Sequence, residues 1–166
     1  MNDLADQMRA DRRPFVTATV VRAEKPTSAK PGDTALVLDD GTIVGFVGGE
    51  CAQASVQAQA LLALDAGEST LLRITPSEAS EASPAAGTVT VHNPCLSGGT
   101  LEIFLEPTLP PAVVAVHGDA PIARAVRELA EWLGLDVAAR ADADAVVVAT
   151  HGGDEAEVIA TALAAG

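Results

Sequence analysis

An Asp-Gly pair between two runs of β-branched and apolar residues is the feature that most constrains the fold of this chain. The runs are residues 34–38 and 42–47, and Asp39, Asp40 and Gly41 separate them. An Asp-Gly pair supplies the positive φ angles that a tight hairpin turn requires. The pattern therefore predicts an antiparallel β-hairpin over residues 34–47.

The hairpin leads into a glycine-rich junction at residues 45–51, with the sequence Gly-Phe-Val-Gly-Gly-Glu-Cys. Residues 51–66 then contain neither Pro nor Gly, and a glycine follows them, so a helix is predicted there. Amides at a helix start favour anions, and a cysteine at that position, here Cys51, tends to have a lowered pKa. A simpler explanation stays open, in which Gly48 and Gly49 only make a tight turn and Cys51 is a small buried apolar residue.

A second cysteine, Cys95, also lies beside paired glycines, Gly98 and Gly99, in a loop between two strand patterns. Residues outside this loop add further elements to the first part of the chain. They are strands at residues 15–21, 71–74, 88–91 and 100–105, a helix at residues 2–13, a loop at residues 25–33 and a mobile surface loop at residues 76–86. These elements predict an N-terminal mixed β-sheet domain with a long helix, over residues 1–107.

The rest of the chain has a different character, which predicts a second domain over residues 112–166. Three prolines within residues 107–111 indicate a stiff linker. Beyond it the pattern predicts strands at residues 112–116, 135–139 and 145–149, and helices at residues 122–133 and 154–165. This β-α-β-β-α order is typical of a partial Rossmann-like parallel α/β domain that lacks its second crossover helix. The predicted fold class is therefore α/β, in two domains.

The predicted turn after residues 112–116 does not carry the fingerprint of a dinucleotide site. The fingerprint Gly-x-Gly-x-x-Gly requires three glycines, and this chain retains only Gly118. Asp119 places a carboxylate where the pyrophosphate would lie, so NAD(P) binding is not expected. His117 and His151 each follow an apolar strand, but no third ligand accompanies them, and the sequence identifies no metal.

The net charge of −13 argues against partners that are themselves strongly negative. An acidic surface repels phosphate backbones and anionic lipid headgroups, so neither nucleic acid nor a membrane surface is expected as a partner. The N-terminus does not have the pattern of a signal peptide, and no apolar run is long enough for an integral membrane segment. A cytoplasmic location with reduced cysteines is expected. The short second domain leaves sheet edges uncovered, so a homo-oligomer is expected.

Several motifs follow one another in a specific order. They are Thr-Ser-Ala-Lys-Pro-Gly at residues 27–32, the hairpin, Gly-Gly-Glu-Cys at 48–51, Cys-Leu-Ser-Gly-Gly at 95–99, Leu-Glu-Ile-Phe-Leu-Glu-Pro at 101–107, and Thr-His at 150–151 with Asp154. The ordered set resembles the XdhC/CoxI family, over about residues 14–166. Members of that family assist the maturation of molybdenum hydroxylases such as xanthine dehydrogenase and aerobic carbon monoxide dehydrogenase. They are thought to hold molybdenum cofactor and to hand it to the apoenzyme.

The chain also departs from the family pattern. Glu50 stands where a glycine is common, and Leu96 and Ser97 separate Cys95 from its glycines. The C-terminal half is short, so the chain resembles a divergent or truncated member, nearer to the carbon monoxide dehydrogenase accessory type.

The resemblance implies an accessory or chaperone protein that binds or protects molybdenum cofactor (molybdopterin) and delivers it to a molybdenum hydroxylase apoenzyme. Such a protein need not catalyse a reaction. The residues assigned to the cofactor by resemblance are Cys51 and Cys95 as ligands or guards, with Gly48, Gly49, Gly98, Gly99 and Lys30 shaping the pocket. Two alternatives stay open: a nucleotide-dependent oxidoreductase that uses the Rossmann-like half, and a degenerate scaffold that only docks a partner.

Overall fold

The computed structural model describes residues 1–76, 87–93, 99–139, 143–150, 152 and 155–165. The chain forms two compact units, Met1–Pro110 and Pro111–Gly166. In chain order the elements are α1 (Asn2–Ala10), β1 (Phe15–Ala23), β2 (Thr34–Leu38), β3 (Ile43–Gly45), α2 (Glu50–Ala66), β4 (Thr70–Thr75), β5 (Thr88–His92), β6 (Leu101–Thr108), β7 (Val113–His117), α3 (Pro121–Trp132), β8 (Asp136–Val137), β9 (Ala145–Val148) and α4 (Glu155–Ala165). The α/β fold class expected from the sequence is confirmed.

The first unit is built on a mixed six-stranded sheet with the order β3-β2-β1-β6-β4-β5. All neighbouring strands are antiparallel except β4 and β5, which are parallel. The long pair in the middle, β1 with β6, extends from Phe15 opposite Thr108 to Ala23 opposite Leu101. The register of this pair shifts between Val20 and Arg22. An irregularity of this kind adds local twist to the strand just before the loop that follows β1.

Helix α2 packs on one face of this sheet because its inward residues are small and correctly spaced. Val56, Ala60 and Ala63 are buried, at intervals of four and three residues that place them on one side of a helix. The facing core contains alternate residues of the central strands, among them Val16, Ala18, Val20, Leu72, Ile103 and Leu105. Helix α2 ends at Gly67, whose left-handed φ of 66° closes the helix as the sequence predicts.

Helix α1 covers part of the opposite face of the sheet. Its residues Ala5 and Met8 form a small second core with Phe15 and Leu36. The first unit is therefore a sheet with one large and one small apolar layer.

The predicted hairpin is confirmed, but its turn differs from the expected one. Gly41 has a φ of 82°, whereas Asp40 does not have a positive φ. The N–H of Gly41 donates to Leu38 O at 2.9 Å, and the N–H of Leu38 donates to Thr42 O at 2.9 Å. These bonds define a three-residue loop with one left-handed glycine, which is the next most common hairpin connection.

The predicted start of the interdomain linker at Pro107 is wrong, because β6 continues to Thr108. Pro107 lies opposite Val16 of β1, whereas the pairing of β6 with β4 ends at Leu105. A proline is tolerated there because the strand has only one neighbour at that point. The predicted surface loop at residues 76–86 lies outside the described residues apart from Pro76.

The second unit contains a parallel three-stranded sheet with the order β8-β7-β9. Helix α3 packs on β7 and β8, and its Ala123 is buried with Val114 and Val116. This arrangement matches the partial Rossmann-like domain that the sequence predicts. The single Trp132 lies at the end of α3 and is 82% exposed. No helix in the described ranges of the chain is long and apolar enough to cross a membrane.

Candidate functional site

A cleft of about 770 Å³ lies at the N-terminal end of α2 in the first unit. Residues from five separate stretches of the sequence line it. They are Lys25, Pro26, Thr27 and Ser28 from the loop after β1, Gly49, Glu50, Cys51 and Ala52 from the start of α2, Ile74 of β4, Asn93 directly after β5, and Gly99 and Leu101 at the start of β6. The volume is in the range of small-molecule sites, which is roughly 300–1,000 Å³. The fold thus assembles one concave site from motifs that are far apart along the chain.

The loop at residues 25–33, the Thr27 loop, forms one wall of the cleft and is anchored in the core by its own residue Ala29. Ala29 is only 4% exposed and belongs to the main core of the first unit. Its N–H donates to Thr27 Oγ1 at 3.2 Å, and the N–H of Lys30 donates to Asp33 Oδ2 at 2.7 Å. Local side-chain bonds of this kind fix a turn without regular secondary structure. The wall at Thr27 is therefore preformed.

Gly99 allows this wall to approach the start of β6. A Cβ at Gly99 would lie 2.6 Å from Pro26 O and would overlap Glu24 O. The two segments are also joined directly, since the N–H of Glu24 donates to Thr100 O at 2.8 Å. Only glycine fits this contact between backbones.

The start of α2 forms the opposite side of the cleft. Gly49 is the N-cap and no side chain caps the helix; the first intrahelical bond runs from the N–H of Gln53 to Gly49 O at 3.0 Å. The peptide groups of a first turn carry the positive end of the helix dipole. Cys51 lies in this turn and is exposed. The alternative in which Cys51 is a buried apolar residue is therefore wrong.

Asn93 connects the first turn of α2 to the sheet. Its side-chain Nδ2 donates to Cys51 O at 2.8 Å and to Ser55 Oγ at 3.3 Å. Its backbone N–H donates to Thr75 O at 2.9 Å. The sequence motifs did not assign a role to Asn93, although its position directly before the Cys95 loop was an available signal.

Two lining residues of opposite charge, Lys25 and Glu50, give the cleft a balanced charge within a strongly acidic chain. Lys25 adds a positive charge to that of the helix start, whereas the carboxylate of Glu50 opposes it. The cleft can therefore accept a ligand with an anionic group without being a purely basic site.

The residues assigned from the sequence have different positions in the structure. Gly49, Cys51 and Gly99 are brought together in the cleft. Gly48 is buried behind it, where its φ is 134° and an added Cβ would lie 2.9 Å from the Ala52 side chain. Lys30 does not line the cleft, and Lys25 from the same loop does. Cys95 and Gly98 lie outside the described residues.

Among the described residues, no group of three or more His, Cys, Asp or Glu side chains is arranged to hold a metal ion. His117 is the last residue of β7, and His151 lies outside the described residues.

The turn after β7, where a Rossmann fold binds pyrophosphate, makes close contacts within the second unit. Arg127 Nη2 donates to Val116 O at 2.9 Å and to Gly118 O at 2.5 Å. Gly118 has a φ of 105°, and an added Cβ would lie 2.6 Å from the carbonyl carbon of Ala149. These bonds engage the carbonyl groups of the turn, whereas pyrophosphate binds to backbone N–H groups. The expected lack of NAD(P) binding therefore stays a prediction.

Comparison with known proteins bears on the first unit. Residues 8–75 match the model of the XdhC and CoxI family. No curated protein sequence matches the chain. A crystal structure of a xanthine dehydrogenase from Bacillus halodurans is similar at a TM-score of 0.46 and 14% sequence identity, covering 89% of this chain and 67% of that one. The family match includes the Thr27 loop, the hairpin and the whole of α2 with Cys51. The resemblance to the XdhC and CoxI family is therefore confirmed over residues 8–75.

Proposed function

We propose that this chain is an accessory protein for the maturation of a molybdenum hydroxylase, and that it holds molybdenum cofactor in the cleft at the start of α2. The family match at residues 8–75 supports the accessory role. The observation that carries the cofactor assignment is the convergence of the Thr27 loop, Gly49 to Cys51 and Gly99 on one cleft. The client is a molybdenum hydroxylase apoenzyme, and the chain itself need not catalyse a reaction.

The residues of the cleft fit the chemistry of the cofactor, which combines a sulfur-ligated molybdenum, a planar pterin and a phosphate. Cys51 offers a soft sulfur ligand to the metal. The amides at the start of α2 and the ammonium group of Lys25 suit the phosphate. At Gly49 an added Cβ would meet nothing within 4 Å, so a flat ring has room to approach the backbone.

When bound, the cofactor would supply the molybdenum centre that the client enzyme requires. The contribution of this chain is to bind the group, to orient it and to shield it from solvent. A thiol in this role must stay reduced, which agrees with the expected cytoplasmic location.

Anaerobic purification tests the assignment directly. The chain is co-expressed with the enzymes that synthesise molybdenum cofactor and is purified without oxygen. Bound molybdenum is measured by mass spectrometry, and the pterin is released and quantified as its oxidised fluorescent form. We expect Cys51→Ser and Cys95→Ser each to reduce retention several-fold while leaving the unfolding midpoint nearly unchanged. Serine keeps the size of the side chain and removes mainly the thiolate.

Ala54→Ser is a matched control, because Ala54 is an exposed residue of α2 that does not line the cleft. It introduces a serine on the same helix and should leave retention unchanged. Retention that survives both cysteine changes, or a loss that follows unfolding alone, rejects the cofactor site. Delivery is tested separately, by activation of a molybdenum hydroxylase apoenzyme with the loaded chain.

A further inference from the structure

Asn93 lies between the sheet and the helix that carries Cys51. Its side chain donates to Cys51 O at 2.8 Å and to Ser55 Oγ at 3.3 Å. Its own backbone is fixed by the bond from its N–H to Thr75 O at 2.9 Å. Asn93 and Cys51 both line the cleft. The amide group is thus a short bridge from the end of β5 to the first turn of α2.

The bridge acts at the part of a helix that is least stable by itself. The first turn contains amides without intrahelical acceptors, and a capping side chain normally stabilises it. Helix α2 has glycine as its N-cap and no side-chain cap. The side chain of Asn93 donates from the end of β5 to the Cys51 carbonyl. This bond therefore restrains the first turn of α2, as a capping side chain would.

We infer that Asn93 is a positioning residue that keeps the first turn of α2 ordered and so holds Cys51 at the wall of the cleft. The inference rests on the proposed function, since Cys51 is the residue assigned there to the cofactor. An ordered first turn keeps the positive end of the helix dipole beside the thiol, which favours the thiolate. Without the bridge the turn frays and this favourable field weakens.

The reactivity of Cys51 tests the inference. The chain has two cysteines, so a Cys95→Ser background leaves Cys51 as the single thiol. Asn93→Ala removes the donor, and Asn93→Asp keeps the shape but turns an acceptor toward the Cys51 carbonyl. We expect alkylation by iodoacetamide at pH 7 to slow by about threefold or more in both variants, because a smaller fraction of the thiol is then ionised. Cys51 is exposed in the folded chain, so the reagent reaches it without fraying of the turn.

Gln57→Glu is the matched control on the same helix. Gln57 Nε2 donates to Gly41 O at 2.8 Å, a bond of the same kind and length that lies away from the cleft. We expect a similar fall in the unfolding midpoint for Gln57→Glu and Asn93→Asp, with slower alkylation only for the Asn93 variants. Equal alkylation in all variants, or an equal slowing in the control, overturns the inference.

Cofactor retention separates this inference from the proposed function. Retention is measured with both cysteines present, and the Asn93 variants are expected to retain less than the wild type. If Cys51→Ser abolishes retention and the Asn93 variants retain at the wild-type level, the function stands and the role of Asn93 is rejected. If Cys51→Ser and Cys95→Ser both leave retention unchanged, the proposed cofactor site fails, and the alkylation profile still decides whether Asn93 positions Cys51.

Discussion

A methyl group added at Gly99 tests whether the cleft depends on the close approach of two backbones. In Gly99→Ala the new Cβ would lie 2.6 Å from Pro26 O and would overlap Glu24 O. Both neighbours are backbone atoms, so the clash cannot be relieved by rotating a side chain. The loop wall or the start of β6 must move.

The cost follows from two contributions. Overpacking of this kind costs about 1–3 kcal/mol. If the displacement also breaks the bond from the N–H of Glu24 to Thr100 O, roughly 1 kcal/mol more is lost. We therefore expect the first unit to lose about 2–4 kcal/mol of unfolding free energy. Gly49→Ala is the matched control in the same cleft, because nothing lies within 4 Å of its added Cβ. It should cost about 0.5–1 kcal/mol, the modest preference of an N-cap for glycine over alanine.

Urea unfolding followed by amide hydrogen exchange and mass spectrometry measures this difference, because the exchange of each segment is measured separately. Gly99→Ala should shift the unfolding of segments in the first unit and leave the unfolding of the second unit in place. A Gly99→Ala protein as stable as Gly49→Ala would show that the close approach is not required, and the steric reasoning would be refuted.

Other expected outcomes concern the core, the pH dependence, nucleotide binding and association. Leu72→Ala removes a fully buried side chain of β4 and should destabilise the first unit by about 2–5 kcal/mol in urea. The pKa of Glu155 is lowered, mainly by the hydrogen bond from the Thr150 hydroxyl and next by the bond from the Gly152 N–H. The ionised carboxylate therefore stabilises the folded second unit above the normal pKa of 4.5, and this stabilisation is lost as the pH falls through the lowered pKa. Thr150→Val should make the stability of the second unit, followed by the same exchange measurement, less dependent on pH below about 4.5. Calorimetry with NAD(H) and NADP(H) should give no binding, and a micromolar dissociation constant, about −8 kcal/mol, would contradict this. Light scattering at micromolar concentration should show self-association, and a strictly monomeric species would refute the expected homo-oligomer.

The sequence was sufficient for the elements because each has strong local signals. The Asp40-Gly41 pair marks the hairpin, and the Pro- and Gly-free run that ends at Gly67 marks α2. The type of the turn was less predictable, because Asp40 is compatible with both two-residue and three-residue loops. The end of β6 was also misplaced, because a proline is excluded only from strands with two neighbours, and neighbours are set by tertiary pairing.

The site was predictable only in part. Of the residues assigned by resemblance, Gly49, Cys51 and Gly99 line one cleft, and their role toward a cofactor stays a prediction. The sequence did not show that Lys25 rather than Lys30 lines the cleft, because both belong to the same loop. The conformation of that loop depends on the buried Ala29. The bridge from Asn93 was missed for a similar reason, because a single hydrogen bond across elements leaves no periodic pattern.

The order of the strands has a consequence for how the first unit folds during synthesis. Strand β6 is the last of its strands to be synthesised, yet it lies between β1 and β4 in the finished sheet. Until residues 101–108 have left the ribosome, β1 has one unpaired edge and β4 lacks its antiparallel neighbour. Pairings between such distant segments slow folding, and open strand edges promote aggregation. We therefore expect residues 8–75, the stretch that matches the family, not to fold on their own, and a truncated gene product that stops before β6 to be a target for chaperones or proteases.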